Sequence, residues 1–160
     1  MNFEIVKTNQ QTDFKAIQEL YYQTWNYAYI GIVPQSFLDH LTTDIWHPEK
    51  HVNNTLIATV AGKIVGICTY GPARRKNYVG YGEIYSLYVL PEFQHQGIGQ
   101  KLFQSALNIL QNDFNKFYLI VLKDNLIAQA FYEMFGFTPT DEELVEHTAY
   151  GDLDEIIFTK

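Results

Sequence analysis

The residues with the clearest chemical potential lie between a predicted strand and a predicted helix. Gly97 and Gly99 leave the backbone there free of side chains, and Gln100 to Gln111 carries apolar residues at the three-and-four spacing of an amphipathic helix. A glycine-bearing loop that leads into a helix presents unpaired N–H groups and the positive end of the helix dipole. The segment therefore predicts a binding site for a phosphate or pyrophosphate group.

Two common glycine-rich phosphate loops do not fit this segment. A dinucleotide fingerprint requires a third glycine where this chain has Leu102, and a P-loop requires a lysine where it has Gln100. The pattern that fits is Gln94-x-x-Gly97-x-Gly99, directly after an apolar strand. It resembles the acyl-CoA pyrophosphate loop of the GNAT superfamily of N-acetyltransferases.

A second motif supports the same resemblance. Asn125, Ala128 and Tyr132 are followed by Gly136-Phe137, as in the next signature of that superfamily. Spacings of three and seven residues place the first three on one face of a helix. An ordinary helix with an asparagine cap and a terminal glycine would also explain them. The two motifs in this order make the chain similar to the superfamily throughout, most specifically over residues 83–137.

The rest of the pattern predicts the elements that position these motifs. Seven strands are expected, at Phe3 to Lys7, Thr55 to Val60, Lys63 to Thr69, Glu83 to Leu90, Lys116 to Leu122, Leu144 to Tyr150 and Asp154 to Thr159. Four helices are expected, at Thr12 to Trp25, Gln35 to Leu41, Gln100 to Gln111 and Asn125 to Phe135. This order indicates an α/β protein with a mixed sheet and helices on both faces. The resemblance implies a GNAT-like fold, with mostly antiparallel strands and a splayed central parallel pair, in one domain of residues 1–160.

Composition excludes several classes of function. The net charge of −7 argues against a nucleic-acid partner, and no apolar run is long enough for a membrane span. Cys68 is the only cysteine and no secretion signal is evident, so a cytoplasmic protein is expected. No metal site is expected, because His47 and His51 have no evident third ligand. The basic cluster Arg74-Arg75-Lys76 is interpreted as a solvated turn.

The resemblance implies acetyl-CoA as the cofactor. Its arm would pair with the backbone at Leu87 and Val89, and the Leu87 N–H would face the thioester carbonyl. The amides of residues 95–100 would hold the pyrophosphate. The residues expected to bind the cofactor are Leu87, Tyr88, Val89, Gln94, His95, Gln96, Gly97, Ile98, Gly99, Gln100, Asn125, Ala128, Phe131 and Tyr132.

Two residues match the superfamily's positions for proton transfer. Glu83 is the expected base for the attacking amine, with a solvated or structural strand-edge glutamate as the alternative. Tyr132 is the expected acid for the departing thiolate, with a merely packing tyrosine as the alternative. The expected reaction is direct acetyl transfer, without an acyl-enzyme, to a primary amine of a small molecule.

The acceptor site is the least determined part of the interpretation. Aromatic residues fill the places where the superfamily binds its amine, and aromatic faces suit cationic amines. Trp25, Tyr29, Tyr81 and Tyr85 are the expected substrate-binding residues. A peptide or protein amine is the alternative acceptor, and a non-catalytic acyl-CoA sensor is the alternative function. Such domains often pair, which leaves a homodimer open.

Overall fold

The computed structural model describes residues 2–160 and contains a seven-stranded mixed sheet with strand order β1-β2-β3-β4-β5-β7-β6. The strands are β1 (Glu4–Lys7), β2 (Thr55–Val60), β3 (Lys63–Pro72), β4 (Gly82–Val89), β5 (Phe117–Leu122), β6 (Thr138–Thr148) and β7 (Gly151–Thr159). The α-helices are α1 (Phe14–Ala28), α2 (Gln35–Asp39), α3 (Ile98–Leu110) and α4 (Leu126–Met134). Only β4 and β5 pair in parallel within this sheet. The predicted fold class is therefore confirmed.

Side-chain caps explain where helices α1 and α4 begin. Asp13 accepts a hydrogen bond from the amide of Ala16 at 3.0 Å and so starts α1. Asn125 does the same for α4, where its side chain accepts from the amide of Ala128 at 3.2 Å. Helix α3 instead begins after Gly97, which has a left-handed backbone and offers no capping side chain.

Helices α1 and α3 lie on opposite sides of the sheet. A Cβ atom at Gly66 would lie 2.9 Å from Leu102 Cδ1, so this residue of β3 faces α3. The next residue along the strand, Ile67, points to the other side and pairs with Tyr88, which lies against Tyr21 of α1. Helix α4 joins α3 on its side, since its aromatic residues pack around Phe103.

The parallel strands β4 and β5 separate after three residue pairs. Their register runs from Gly82 opposite Phe117 to Ile84 opposite Leu119 and then stops, although both strands continue. The separation coincides with a bulge in β4, where Tyr85 is an extra residue without a partner in β3. The predicted splayed pair is thus present, and β4 from Tyr85 onward has a free edge on the β5 side.

The two C-terminal strands are longer than their sequence pattern indicates. Strand β6 begins at Thr138 and not at Leu144, and β7 begins at Gly151 and not at Asp154. The two form a hairpin in which Thr148 pairs with Gly151, whose positive φ permits the tight turn. No helix within residues 2–160 has the length and apolar character needed to cross a membrane.

Candidate active site

The gap between β4 and β5 opens into a large cavity of about 990 Å³. This central cavity is lined by both strands, by α1 on one side of the sheet and α4 on the other, and by the hairpin of β6 and β7. The parting of the parallel strands therefore connects the two sides of the molecule at one place.

The free edge of β4 presents backbone groups to the cavity. The amide of Leu90 donates to the carbonyl of Val65 in β3 at 2.9 Å, and hydrogen-bonding groups alternate sides along a strand. Leu87 and Val89 must therefore face away from β3, toward the gap. The carbonyl of Val89 accepts a hydrogen bond from Gln94 Nε2 at 3.1 Å, in agreement with this direction.

The bulge at Tyr85 causes this orientation. At the start of β4, the amide of Gly82 donates toward the β5 side, to the carbonyl of Lys116 at 2.9 Å. Without the extra residue, the same alternation would carry Ser86 and Tyr88 to the β5 side. With it, Leu87 and Val89 take that place.

The loop before α3 has the free amides that its sequence predicts. Within the described residues, the backbone N–H groups of residues 95–100 donate no hydrogen bond to the protein. His95 and Gly97 both have positive φ, at 61° and 85°, and a Cβ at Gly97 would meet nothing within 4 Å. Ile98 buries its side chain in the core and anchors the loop. An anion thus has both donors and open space at this loop.

The other expected loop residues lie in the same turn. Gln96 is exposed and donates from Nε2 to the carbonyl of Glu92 at 3.3 Å. Gly99 and Gln100 belong to the first turn of α3, and Gly99 is close to Val89 and Phe131.

Helix α4 places three predicted residues at the cavity. Asn125, Ala128 and Tyr132 all line it, whereas Phe131 packs on Phe103 with ring centroids 5.6 Å apart and does not. The Tyr132 hydroxyl makes no hydrogen bond to any described residue. Burial raises the pKa of Tyr132. Its phenol therefore keeps its proton at neutral pH.

Aromatic residues of α1 and β4 line the opposite side. Trp25, Tyr29 and Tyr85, three of the residues predicted to bind the substrate, line the cavity. Tyr29 donates its hydroxyl to that of Tyr88 at 3.2 Å, which ties α1 to β4 directly beside the gap. The side chain of Trp25 forms a T-shaped contact with Tyr29 at 4.6 Å.

Tyr81 lies elsewhere, and its predicted role in substrate binding receives no support. Its ring packs against Tyr78 at 5.2 Å and Tyr118 at 6.2 Å, and it does not line the cavity. Tyr81 lies in the turn just before β4. Its side chain belongs to the hydrophobic cluster around Tyr78 and Tyr118 and not to the cavity.

Glu83 is fully engaged within the protein. Its Oε1 accepts from the Arg74 amide at 3.0 Å and from the Tyr118 hydroxyl, and its Oε2 accepts from Arg74 Nε at 3.2 Å and Nη2 at 2.7 Å. These bonds use all the lone-pair sites of a carboxylate. The side chain is 1% exposed and does not line the cavity. The geometry favours the structural alternative for Glu83 over the base.

The same contacts correct the interpretation of the basic cluster. Arg74 is not simply solvated: it binds Glu83, lies 3.9 Å over the Tyr85 ring and, with Arg75, lines the cavity. The only hint of this in the sequence was the position of the cluster, within a few residues of a buried strand.

Two carboxylates of the cavity carry no motif and were not predicted. Glu146 of β6 and Glu155 of β7 both line it. Burial, followed by the nearby charge of Glu146, raises the pKa of Glu155 to about 7, while Arg75 acts in the opposite direction. Within residues 2–160, no group of three or more His, Cys, Asp or Glu residues could hold a metal ion.

Several known proteins are similar to this chain in sequence and fold. Residues 14–137 match the model of the Acetyltransferase (GNAT) family. An uncharacterized N-acetyltransferase of Bacillus subtilis, YuaI, is 27% identical over 125 residues, which cover 75% of this chain and 72% of that protein. The spermidine N(1)-acetyltransferase of Thermoplasma acidophilum is 24% identical over 150 residues, or 89% of this chain and 92% of that protein.

Two solved structures with a bound cofactor have the same fold. The PaiA N-acetyltransferase of Thermoplasma acidophilum, in complex with coenzyme A, superposes with a TM-score of 0.77 at 21% identity, covering 100% of this chain and 99% of that chain. YncA of Salmonella typhimurium, a putative acetyltransferase solved with acetyl-CoA, gives 0.71 at 20% identity, covering 99% of this chain and 92% of that one.

The family model covers most of the chain and includes both the loop with free amides and the capped helix that carries Tyr132. This chain accordingly belongs to the GNAT family and is an N-acetyltransferase that uses acetyl-CoA.

Proposed function

We propose that this enzyme transfers the acetyl group directly from acetyl-CoA to a primary amine of a small molecule in the cytoplasm. The observation that carries the proposal is the central cavity, which joins the Tyr132 side of the sheet to the aromatic side through the gap between β4 and β5. A volume of about 990 Å³ lies at the upper end of the range for small-molecule sites. It leaves room for an acceptor beside the acetyl group.

The free amides support the placement of the donor. The loop of residues 95–100 would hold the pyrophosphate, and the edge of β4 would pair with the arm of coenzyme A. The Leu87 N–H faces the gap and would stabilise the negative charge that develops on the thioester oxygen. Tyr132 would supply the proton that the departing sulfur needs.

The environment of the only cysteine favours direct attack over an acyl-enzyme. Cys68 is completely buried in β3, and burial raises the pKa of its thiol. A thiol in this state is a poor nucleophile. A buried, unpaired thiol also suits a reducing compartment such as the cytoplasm.

The lining favours a cationic amine as the acceptor. Trp25 and Tyr29 offer aromatic faces, and Glu146 and Glu155 offer negative charge on the same side of the sheet. The relative from Thermoplasma acidophilum, named a spermidine acetyltransferase, supports an acceptor of this kind. A polyamine or related alkyl amine is the acceptor class that we propose.

The test is release of free coenzyme A in the presence of an amine panel. We expect turnover with spermidine or a simple diamine and little with a peptide that has a free N-terminus. Calorimetry with coenzyme A provides a second, independent measurement. Tight binding of coenzyme A without turnover on any amine would support the sensor instead, and preference for the peptide would support the alternative acceptor.

Direct attack has its own measurement. Incubation of the enzyme with acetyl-CoA alone should leave the mass of the protein unchanged, because no acyl-enzyme forms. A stable mass increase of one acetyl group that disappears on addition of amine would contradict direct attack.

A further inference from the structure

The hairpin of β6 and β7 contributes two carboxylates to one wall of the central cavity. In the register of these strands, Leu144 pairs with Glu155 and Glu146 pairs with Leu153. Paired residues and residues two apart share one face of a sheet, so these side chains point to the same side. All of them line the cavity.

This side is the one opposite Tyr132. Glu155 also pairs with Leu122 of β5, and Leu122 packs with Tyr29 and Val33 in the cluster around α1 and α2. Tyr132 packs with Phe103 on the side of α3. The two residues therefore reach the gap from opposite sides of the sheet, as an acid and a base must when the amine attacks on one side and the sulfur leaves on the other.

The carboxylate of Glu155, unlike that of Glu83, has no hydrogen-bond partner among the described residues. Among residues 2–160 it has no hydrogen bond and no ion pair, although the side chain is half-buried. The charged and titratable groups that face it are Glu146 from β6, Tyr29 from α1 and Arg75 from the segment after β3, while β5 presents only Leu122.

The pKa of Tyr29 responds to charges on both sides of the sheet. Burial raises the pKa of Tyr29, its hydrogen bond to Tyr88 lowers it, and the charges of Tyr132 and Glu155 raise it further. Tyr29 therefore lies within electrostatic range of both residues. Its hydroxyl donates to that of Tyr88, so Tyr29 is held against β4 on the α1 side of the sheet, beside the gap.

We infer that Glu155 is the general base of the reaction, the group that takes the proton from the acceptor's ammonium group. The inference rests on the proposed function and replaces Glu83 in the predicted role. Glu83 becomes a positioning residue that holds Arg74 and the segment after β3 against the cavity.

The step balances as follows in atoms and charge. The ammonium nitrogen gives one proton to Glu155, and its lone pair forms a bond to the acetyl carbonyl carbon. The C–S bond breaks, and the sulfur takes a proton from Tyr132. The nitrogen then loses a second proton, which restores Tyr132, and Glu155 releases its proton to solvent. One acetyl group is transferred and one proton is released.

The surroundings of Glu155 suit this role. A general base works best when its pKa lies near the working pH, and burial brings this carboxyl to about 7. An ordinary exposed glutamate would be a weaker base, because its pKa is about 4.3.

The experiment compares Glu155→Gln with Asp154→Asn, the adjacent residue of β7, which is exposed and points to the other side of the sheet. Both changes remove one negative charge. With spermidine as acceptor, E155Q should lower kcat near pH 7 by roughly 10²–10⁴-fold and abolish the rise of kcat through about pH 7. Activity should recover partly in alkali, where the free amine is abundant. D154N should keep the wild-type profile.

A measurement without substrate tests the same residue. NMR of labelled glutamate carboxyl carbons should show one carboxyl that titrates at about pH 7 in the wild type and is missing in E155Q. Binding of coenzyme A, followed by calorimetry, should be equal in both proteins.

The outcomes separate this inference from the proposed function. An active wild type whose rate and pH profile survive in E155Q would overturn the role of Glu155 alone. A wild type that binds coenzyme A and acetylates no amine would overturn both.

Discussion

The two sides of the central cavity are built from very different parts of the chain. The proposed donor side combines Gln94, Asn125, Ala128 and Tyr132, which line the cavity, with the free amides of residues 95–100 in the loop before α3. The acceptor side takes single residues from distant places, among them Trp25, Arg75 and Glu155. The proposed donor side therefore has few ways to vary, because the backbone would make its contacts to the pyrophosphate. The acceptor side can change one side chain at a time.

The difference between the two sides predicts how variants on each side should behave. Changes on the donor side should affect every acceptor equally, since all reactions use the same acetyl-CoA. Changes on the acceptor side should depend on the acceptor and on pH. Four variants, taken from the largest expected effect to the smallest, test this division.

Tyr132→Phe should have the largest effect. It removes only the hydroxyl that would protonate the sulfur, and kcat should fall by roughly 10²–10⁴-fold with every acceptor in the panel. Affinity for coenzyme A should persist in calorimetry, because the ring still packs against Phe103. Tyr27→Phe is the matched control, since Tyr27 is 61% exposed and outside the cavity. Equal rates in both variants would remove the acid role.

Glu83→Gln should affect stability first. The amide would place a donor against Arg74 and leave buried hydrogen bonds unmade, at a cost of roughly 1–3 kcal/mol in the free energy of unfolding. Urea unfolding measures this loss. Glu92→Gln breaks only a long ion pair to Lys63 at 3.9 Å, with both partners more than half exposed, and should cost about 0–1 kcal/mol.

The same variant also tests the two glutamates against each other. Residual activity of E83Q should keep the rise of kcat through about pH 7, because that rise belongs to Glu155. Full stability together with a flat pH profile would restore Glu83 as the base.

Gly97→Ala should weaken the binding of coenzyme A by roughly tenfold, or about 1.4 kcal/mol. The added methyl group would occupy the open space above the free amides of the loop. Gly80→Ala is a close control, since Gly80 also has positive φ and open space around its Cβ position but lies outside the loop with free amides. Both variants should lose similar stability, so calorimetry isolates the effect on binding. Equal affinities would argue against a pyrophosphate site at this loop.

The smallest expected effect is that of Glu155→Gln on thermal stability, apart from its effect on kcat. Folding raises the pKa of this carboxyl from 4.5 to about 7, so the folded state favours the protonated form. Wild-type stability should therefore fall as the pH rises between these values, and E155Q should lack that loss. We expect a Tm above that of the wild type by about 1–4 °C at pH 8 and little difference at pH 4, measured by differential scanning calorimetry. A lower Tm at pH 8 would contradict the raised pKa.

The donor side could be predicted from the sequence because its function lies in local spacing. Gly97 indicates a bare loop and Asn125 a capped helix, each within a segment of a few residues, and the structure contains both features. The order of strands and helices followed from apolar periodicity in the same way.

The acceptor side could not be predicted, since its members meet only through tertiary structure. Glu155 follows Asp152 and Asp154 in an acidic segment, and only the pairing of β7 with β5 and β6 shows which of them faces the cavity. The contacts of Glu83 could not be predicted, because its partner Arg74 lies nine residues earlier, in a cluster typical of an exposed turn. Tyr81 was one of several similar aromatic residues, and its direction depends on the turn before β4.

The single extra residue Tyr85 decides whether β4 and β5 separate or stay paired. Deletion of this one residue would restore the regular alternation of β4, and its hydrogen-bonding groups could then join those of β5 along their whole length. The molecule would become a continuous barrier with no passage for the thioester. The opening between β4 and β5 thus depends on a single amino acid that β4 has in excess of its neighbour β3.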